Sequence, residues 1–183
     1  IGLTHTDEDE ETSTLWAIMT PRLMLSLRAH PLMTTDTLRH LLRQKRIAPH
    51  NVVALYHEMI EERAAHLRRR TDQLSDQMDV LEEVLIKGDN LPEHETLGRL
   101  RITCSRLRRH YAPELTALKR LLRRKPTWFN EDDTDQLREQ IDLLAFLVDE
   151  VNNLYERAKV LQDELSAHVA EFNAKNLQVL SVM

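Results

Sequence analysis

The strongest constraint on this chain is its last third, where some fifty residues from 131 onward contain no Gly and no Pro. Leu137, Ile141, Leu144, Val148, Val151, Tyr155 and Ala158 step by fours and threes. Leu161, Leu165, His168, Phe172 and Val179 continue the stripe. That is the spacing of one face of a helix. At 1.5 Å per residue the helix is about 75–80 Å long. A small domain cannot cover that length, so the helix packs against other copies or extends into something else. Asn130 is its predicted N-cap, and Glu131, Asp132 and Asp133 follow where the helix dipole favours negative charge. Lys175 is the last charged residue; Asn176, Leu177, Gln178, Val179, Leu180, Ser181, Val182 and Met183 end the chain. A helix that turns apolar all round reads as one about to enter a bilayer, although a core helix can end the same way.

Two more long helices precede it. One is predicted over residues 51–87, with Val53, Tyr56, Ile60, Leu67, Leu74, Met78, Leu81 and Leu85 as its stripe and Gly88 as its stop. The next is predicted over residues 91–124, with Asn90 and Glu93 as a capping pair and Pro92 in the first turn. Leu97, Leu100, Cys104, Leu107, Tyr111, Leu115, Leu118 and Leu122 form its stripe, and Pro113 should kink it.

Upstream, residues 34–45 read as a short amphipathic helix with Leu38, Leu41 and Leu42 inward, interrupted by Pro49. Residues 13–28 read as a hairpin: Leu15, Ala17 and Met19 alternate with Trp16 and Ile18, and Leu23, Leu25 and Leu27 alternate beyond a Pro21-Arg22 turn. Two strands are not stable alone, so more sheet is expected from elsewhere. The expected class is therefore mainly α with an α+β remnant. Its predicted parts are an acidic, unstructured lead-in (1–12), the remnant of an α/β domain (13–48), a long antiparallel helix pair (49–125) and a stalk helix (126–183). Aromatics at 4% and only three Gly argue against an all-β fold.

Cys104 is the single cysteine, which excludes an intrachain disulfide and fits a reducing compartment. The chain starts at Ile1 with no signal-like stretch, which suggests a piece of a longer protein. No 18-residue apolar run is present, so this part is not expected to span a membrane. Charge is segregated: residues 93–125 hold ten Lys/Arg against three Asp/Glu, and residues 131–183 hold twelve Asp/Glu against four Lys/Arg. Such segments attract each other within a chain or between chains.

Most catalytic chemistry has no counterpart here, and no enzyme is expected. Gly occurs only at 2, 88 and 98, which rules out a Gly-rich phosphate loop. There is no Cys-x-x-Cys, no Ser elbow motif and no Glu-x-x-His. His57, His66 and His110 read as helix-surface or half-buried residues rather than ligands. Arg99, Arg101, Arg106, Arg108, Arg109, Arg120, Arg123 and Arg124 could meet phosphates, but no aromatic stacking platform accompanies them. A solvated face or a partner for the acidic helix fits better, and no nucleic acid is expected. Glu139 and Asp142 lie one turn apart on the last helix. Two carboxylates so placed can hold a hard divalent ion through its waters, or can simply be surface acids.

The order of these elements resembles the cytoplasmic funnel of CorA-type magnesium transporters and their ZntB-type zinc relatives. Leu107-Arg108-Arg109-His110-Tyr111-Ala112-Pro113 resembles the family's basic, aromatic, Ala-Pro segment. Trp128-Phe129-Asn130-Glu131-Asp132-Asp133 is similar to the opening of its stalk helix. Asn176 to Met183 is similar to the run that opens its first membrane helix, and Met19 to Arg28 to the last hairpin of its α/β domain.

The resemblance implies the cytoplasmic regulatory and pore-lining part of a divalent-cation transporter, gated by stalk movement. The full-length protein would sit in the bacterial inner membrane, as a homopentamer joined to the membrane by helices beyond this chain. It implies Mg2+, Zn2+ or Co2+ as the transported ion, with Mg2+ or Zn2+ also as a regulatory ion. Leu177 and Leu180 would match the apolar constriction at the inner mouth of the pore, with Asn173 and Asn176 straddling the register of the family's asparagine. Glu139 and Asp142 would fall where the family places stalk acids that sense intracellular magnesium. The alternative is a helical coiled-coil scaffold, which shares the heptads but predicts neither the hairpin nor the apolar ending.

Overall fold

The structure is a computed structural model that describes residues 2–6, 12–28, 33–87 and 94–181, with side chains over 15–28, 34–87, 95–171 and at 174. Seven elements follow one another: β1 (Gly2–Thr6), β2 (Thr12–Met19), β3 (Met24–Arg28), α1 (Met33–Arg43), α2 (Val52–Lys87), α3 (His94–Arg123) and α4 (Glu131–Ser181). The mainly α class holds. So do the hairpin, the short helix and the three long helices. The acidic run at 7–11, Gly88, Asn90, Pro92 and Glu93 lie outside the described residues.

One expectation is corrected. Gly2–Thr6, assigned to an unstructured lead-in, forms a third strand, antiparallel to β2 from Gly2↔Trp16 to Thr6↔Thr12. The pairing gives its backbone groups the partners that an isolated Leu-Thr-His-Thr stretch lacks.

The residues form two compact units, Ile1–Arg70 with Arg108–Asp149, and Thr71–Leu107 with Glu150–Met183. In the first unit the sheet has the order β1-β2-β3. The β2–β3 turn is closed by Thr20, whose N–H donates to the Leu23 carbonyl at 2.9 Å while its Oγ1 accepts from the Leu23 N–H at 3.0 Å. Leu15 and Ala17 are buried, whereas Trp16 and Ile18 are exposed opposite Leu27 and Leu25, which are exposed too. Arg28 reaches Asp36 of α1 at 2.7 Å, and this hydrogen bond holds the Asp36 carboxyl below its ordinary value.

Helix α1 ends two residues before its predicted limit. Lys45 N–H donates to the Leu42 carbonyl and Arg46 N–H to the Leu41 carbonyl, with Lys45 at φ 55°. This is a left-handed helix cap, a conformation usually left to Gly. Asn51 caps α2 through its Oδ1, which accepts the Ala54 N–H at 2.8 Å. Asn130 caps α4 as predicted, accepting the Asp133 N–H at 2.7 Å.

Most stripe positions are core, while Leu81, Leu115, Leu122 and Tyr155 are only half-buried and His168 is exposed. In the first unit Val53, Tyr56, Ile60, Leu67, Tyr111, Leu118, Leu137, Ile141, Leu144 and Val148 are buried. In the second, Leu74, Met78, Leu85, Leu97, Leu100, Cys104, Leu107, Val151, Ala158, Leu161 and Leu165 are buried. Each large side chain contributes about 1.5–3 kcal/mol on burial. Among the described residues no helix is long and apolar enough to cross a membrane.

Candidate functional site

The first unit holds a charged pair inside its core. Arg63 of α2 donates to both carboxylate oxygens of Glu114 of α3, from Nε to Oε1 at 2.6 Å and from Nη2 to Oε2. Their side chains are only 3% and 1% exposed. The Arg63 guanidinium also lies 5.1 Å from the centre of the Tyr111 ring, and the Tyr111 hydroxyl sits 3.4 Å from His66 Nδ1. The pairs 63–114 and 66–111 run in opposite directions along the chain, so α2 and α3 are antiparallel here.

Burial raises the Glu114 carboxyl above its ordinary value, with Arg63 opposing the shift. For Arg63, burial works to lower the guanidinium, but Glu114 and the neighbouring tyrosines outweigh it and leave it raised. Burial also pushes up the phenols of Tyr111 and Tyr56. The Tyr56 hydroxyl is buried with no hydrogen-bond partner among the described residues. The Arg63–Glu114 pair ties α2 to α3 with both charges buried.

A second polar tie joins the starts of α2 and α4. Asn51 Nδ2 donates to Asp133 Oδ2 at 2.6 Å, and His50 Nε2 lies 3.3 Å from Asp133 Oδ1. In the second unit, Arg157 of α4 grips α2: Nε and Nη2 meet Glu82 at 2.9 and 2.8 Å, and Nη2 meets Asp79 at 2.6 Å. A cleft of about 750 Å³ opens beside this clamp, lined by Leu85, Ile86, Val160, Leu161 and the acids Glu156 and Glu164.

Glu139 and Asp142 stand exposed, one turn apart on α4. Asp142 borders a cleft that it shares with Lys119, Arg123 and Arg138. Among the described residues neither joins a trio of possible metal ligands; the trio found is His57, Glu58 and Glu61 of α2. Leu177, Leu180, Asn173 and Asn176 fall within α4, but their side chains lie outside the described residues.

The sequence patterns single out none of Arg63, Glu114 and Arg157, and they read His57 as a helix-surface or half-buried residue rather than a ligand. A signal existed for the buried pair: Arg63 and Glu114 sit at stripe positions, between Ile60 and Leu67 and between Tyr111 and Leu118.

The CorA-like Mg2+ transporter protein family matches residues 2–183. The divalent cation transporter CmaX of Pseudomonas aeruginosa is 30% identical over all of this chain and 55% of its own length. The zinc transport protein ZntB of Yersinia enterocolitica is 24% identical over the same shares. The chain thus spans about half the length of these relatives. The solved full-length CmaX structure superposes with a TM-score of 0.85, at 24% identity over 99% of this chain and 57% of that one. The soluble domain of CorA from Methanocaldococcus jannaschii gives 0.77 at 19% identity, over 89% of this chain and 67% of that one. These two structures show a shared fold. On the match over residues 2–183, the chain belongs to the CorA-like Mg2+ transporter family.

Proposed function

We propose that this chain is the cytoplasmic regulatory and pore-approaching part of an inner-membrane transporter for Mg2+, Zn2+ or Co2+. Five copies surround one pore, and movement of α4 gates it. The observation that carries this reading is α4 itself: 51 residues without a break, about 76 Å long, in a chain of this family. A relative named as a divalent cation transporter supports the class of cargo.

In this reading the α4 helices converge at their C-terminal ends. Leu177 and Leu180 form an apolar ring that closes by dewetting, with Asn173 and Asn176 straddling the position one turn before it. Glu139 and Asp142 hold a hydrated regulatory ion between copies. Lys119, Arg123 and Arg138 border Asp142 and oppose any cation there, so occupancy requires a high ion concentration. Ion occupancy then biases α4 between two positions.

The mass of the chain in solution, measured by light scattering with and without millimolar Mg2+ or Zn2+, tests this. A species of five 21.5 kDa chains whose stability rises with metal supports a preassembled, ion-responsive funnel. A metal-indifferent monomer or dimer counts against a regulatory ion at Glu139 and Asp142 and favours a helical scaffold.

A further inference from the structure

We propose that His57, Glu58 and Glu61 form a surface site on α2 for a divalent transition cation. One ligand atom from each of the three lies within 4.8 Å of the other two. The spacing explains this convergence. His57 and Glu61 are four residues apart, Glu58 and Glu61 three, so Glu61 is one turn from both. His57 Nδ1 already lies 3.9 Å from a Glu61 carboxylate oxygen.

Burial is graded in a way that suits a ligand set. The His57 side chain is 17% exposed, so packing holds its imidazole, while Glu61 is 54% exposed and leaves the site open to solvent. Zinc bound tetrahedrally, with metal–ligand bonds near 2.0–2.2 Å, needs ligand atoms about 3.4 Å apart. Rotamer adjustment of two glutamates on one helix covers that difference. Water fills the fourth position.

The donor set selects the ion. Imidazole suits Zn2+, Ni2+ and Co2+, whereas Mg2+ demands six oxygens in near-ideal octahedral geometry. The trio therefore answers to transition cations and ignores Mg2+. It also differs from Glu139 and Asp142, which offer carboxylates alone. The proposal does not depend on the transporter reading, because binding is measured on this chain by itself.

The test is calorimetric titration of the 183-residue chain with Zn2+ in excess Mg2+, repeated with Co2+ while following its visible absorption. One Zn2+ per chain is expected, undisturbed by Mg2+, together with the intense spectrum of four-coordinate Co2+. His57→Ala and Glu61→Gln should each weaken Zn2+ binding by about tenfold or more. Glu83→Gln, which alters an exposed acid elsewhere on α2, should leave it unchanged. His57→Gln keeps the packing should His57→Ala fail to fold, and Glu61→Gln alters an exposed side chain. Undiminished affinity in His57→Gln and Glu61→Gln, displacement of Zn2+ by Mg2+, or no binding would each overturn the site.

Discussion

Arg63 and Glu114 close a two-bond ion pair between α2 and α3 with both side chains almost wholly shut off from water. Breaking such a pair costs more than the pair itself contributes, because the surviving charge is left in the core. Glu114→Leu should therefore lower stability by about 3–5 kcal/mol, read from urea midpoints at constant slope. The double variant Arg63→Met/Glu114→Leu removes both charges and should recover most of that loss. A double variant no more stable than the single one would mean that the pair does more than fix registry.

Tyr56 buries a hydroxyl that meets no partner among the described residues, an arrangement that costs about 1–3 kcal/mol. Tyr56→Phe should stabilise the chain by about 1 kcal/mol in thermal or urea unfolding.

Alkali should unfold the protein in a defined window. The folded phenols of Tyr56 and Tyr111 titrate above their ordinary value of 10.0, because burial disfavours the charged form. The Cys104 thiol is pushed from 9.0 up to about 11 for the same reason. In each case the unfolded chain loses its proton first. The stability these groups contribute is complete below pH 9 and is lost as pH rises, from 9 to about 11 for Cys104 and from 10 upward for the tyrosines. Unfolding midpoints measured across this range should fall, and Tyr56→Phe should flatten the part above pH 10.

Lys45 adopts a left-handed conformation at φ 55°, which costs a residue with a Cβ about 1–2 kcal/mol. Lys45→Gly should raise stability by about 0.5–1 kcal/mol once the greater freedom of glycine in the unfolded chain is counted. Lys45→Val should lower it, and melting temperatures of the two variants would separate them.

Cys104 is buried and free. A thiol reagent should react with it only through local or global opening. Its labelling rate should rise with subdenaturing urea, and immediate labelling in native buffer would contradict the buried placement.

The sequence made α4 legible because its information is local. Seven-residue spacing, the Asn130 cap and the lack of Gly or Pro all belong to one segment. The β2–β3 hairpin was legible for the same reason, through alternation and a Pro-Arg turn. Gly2–Thr6 was not, since its strand character comes from pairing with residues beyond an acidic stretch. The ionic ties were hidden by distance along the chain: 51 residues separate Arg63 from Glu114, and 75 separate Arg157 from Glu82. Glu139 and Asp142 are exposed on α4, and the basic residues beside Asp142 come partly from α3, which α4 alone does not reveal.

The outward face of the β2–β3 ribbon carries Trp16, Ile18, Leu25 and Leu27, each more than half exposed. Trp128, the second of the chain's two tryptophans, is half-buried and stacks edge-on against Phe129, their ring centres 4.7 Å apart. The two indoles therefore sit in unlike surroundings, and their emission should resolve into a red, readily quenched part and a bluer, protected one. Anything that settles over the ribbon, whether another polypeptide or a detergent, should shift only the first, so the molecule carries an optical gauge of its own stickiness.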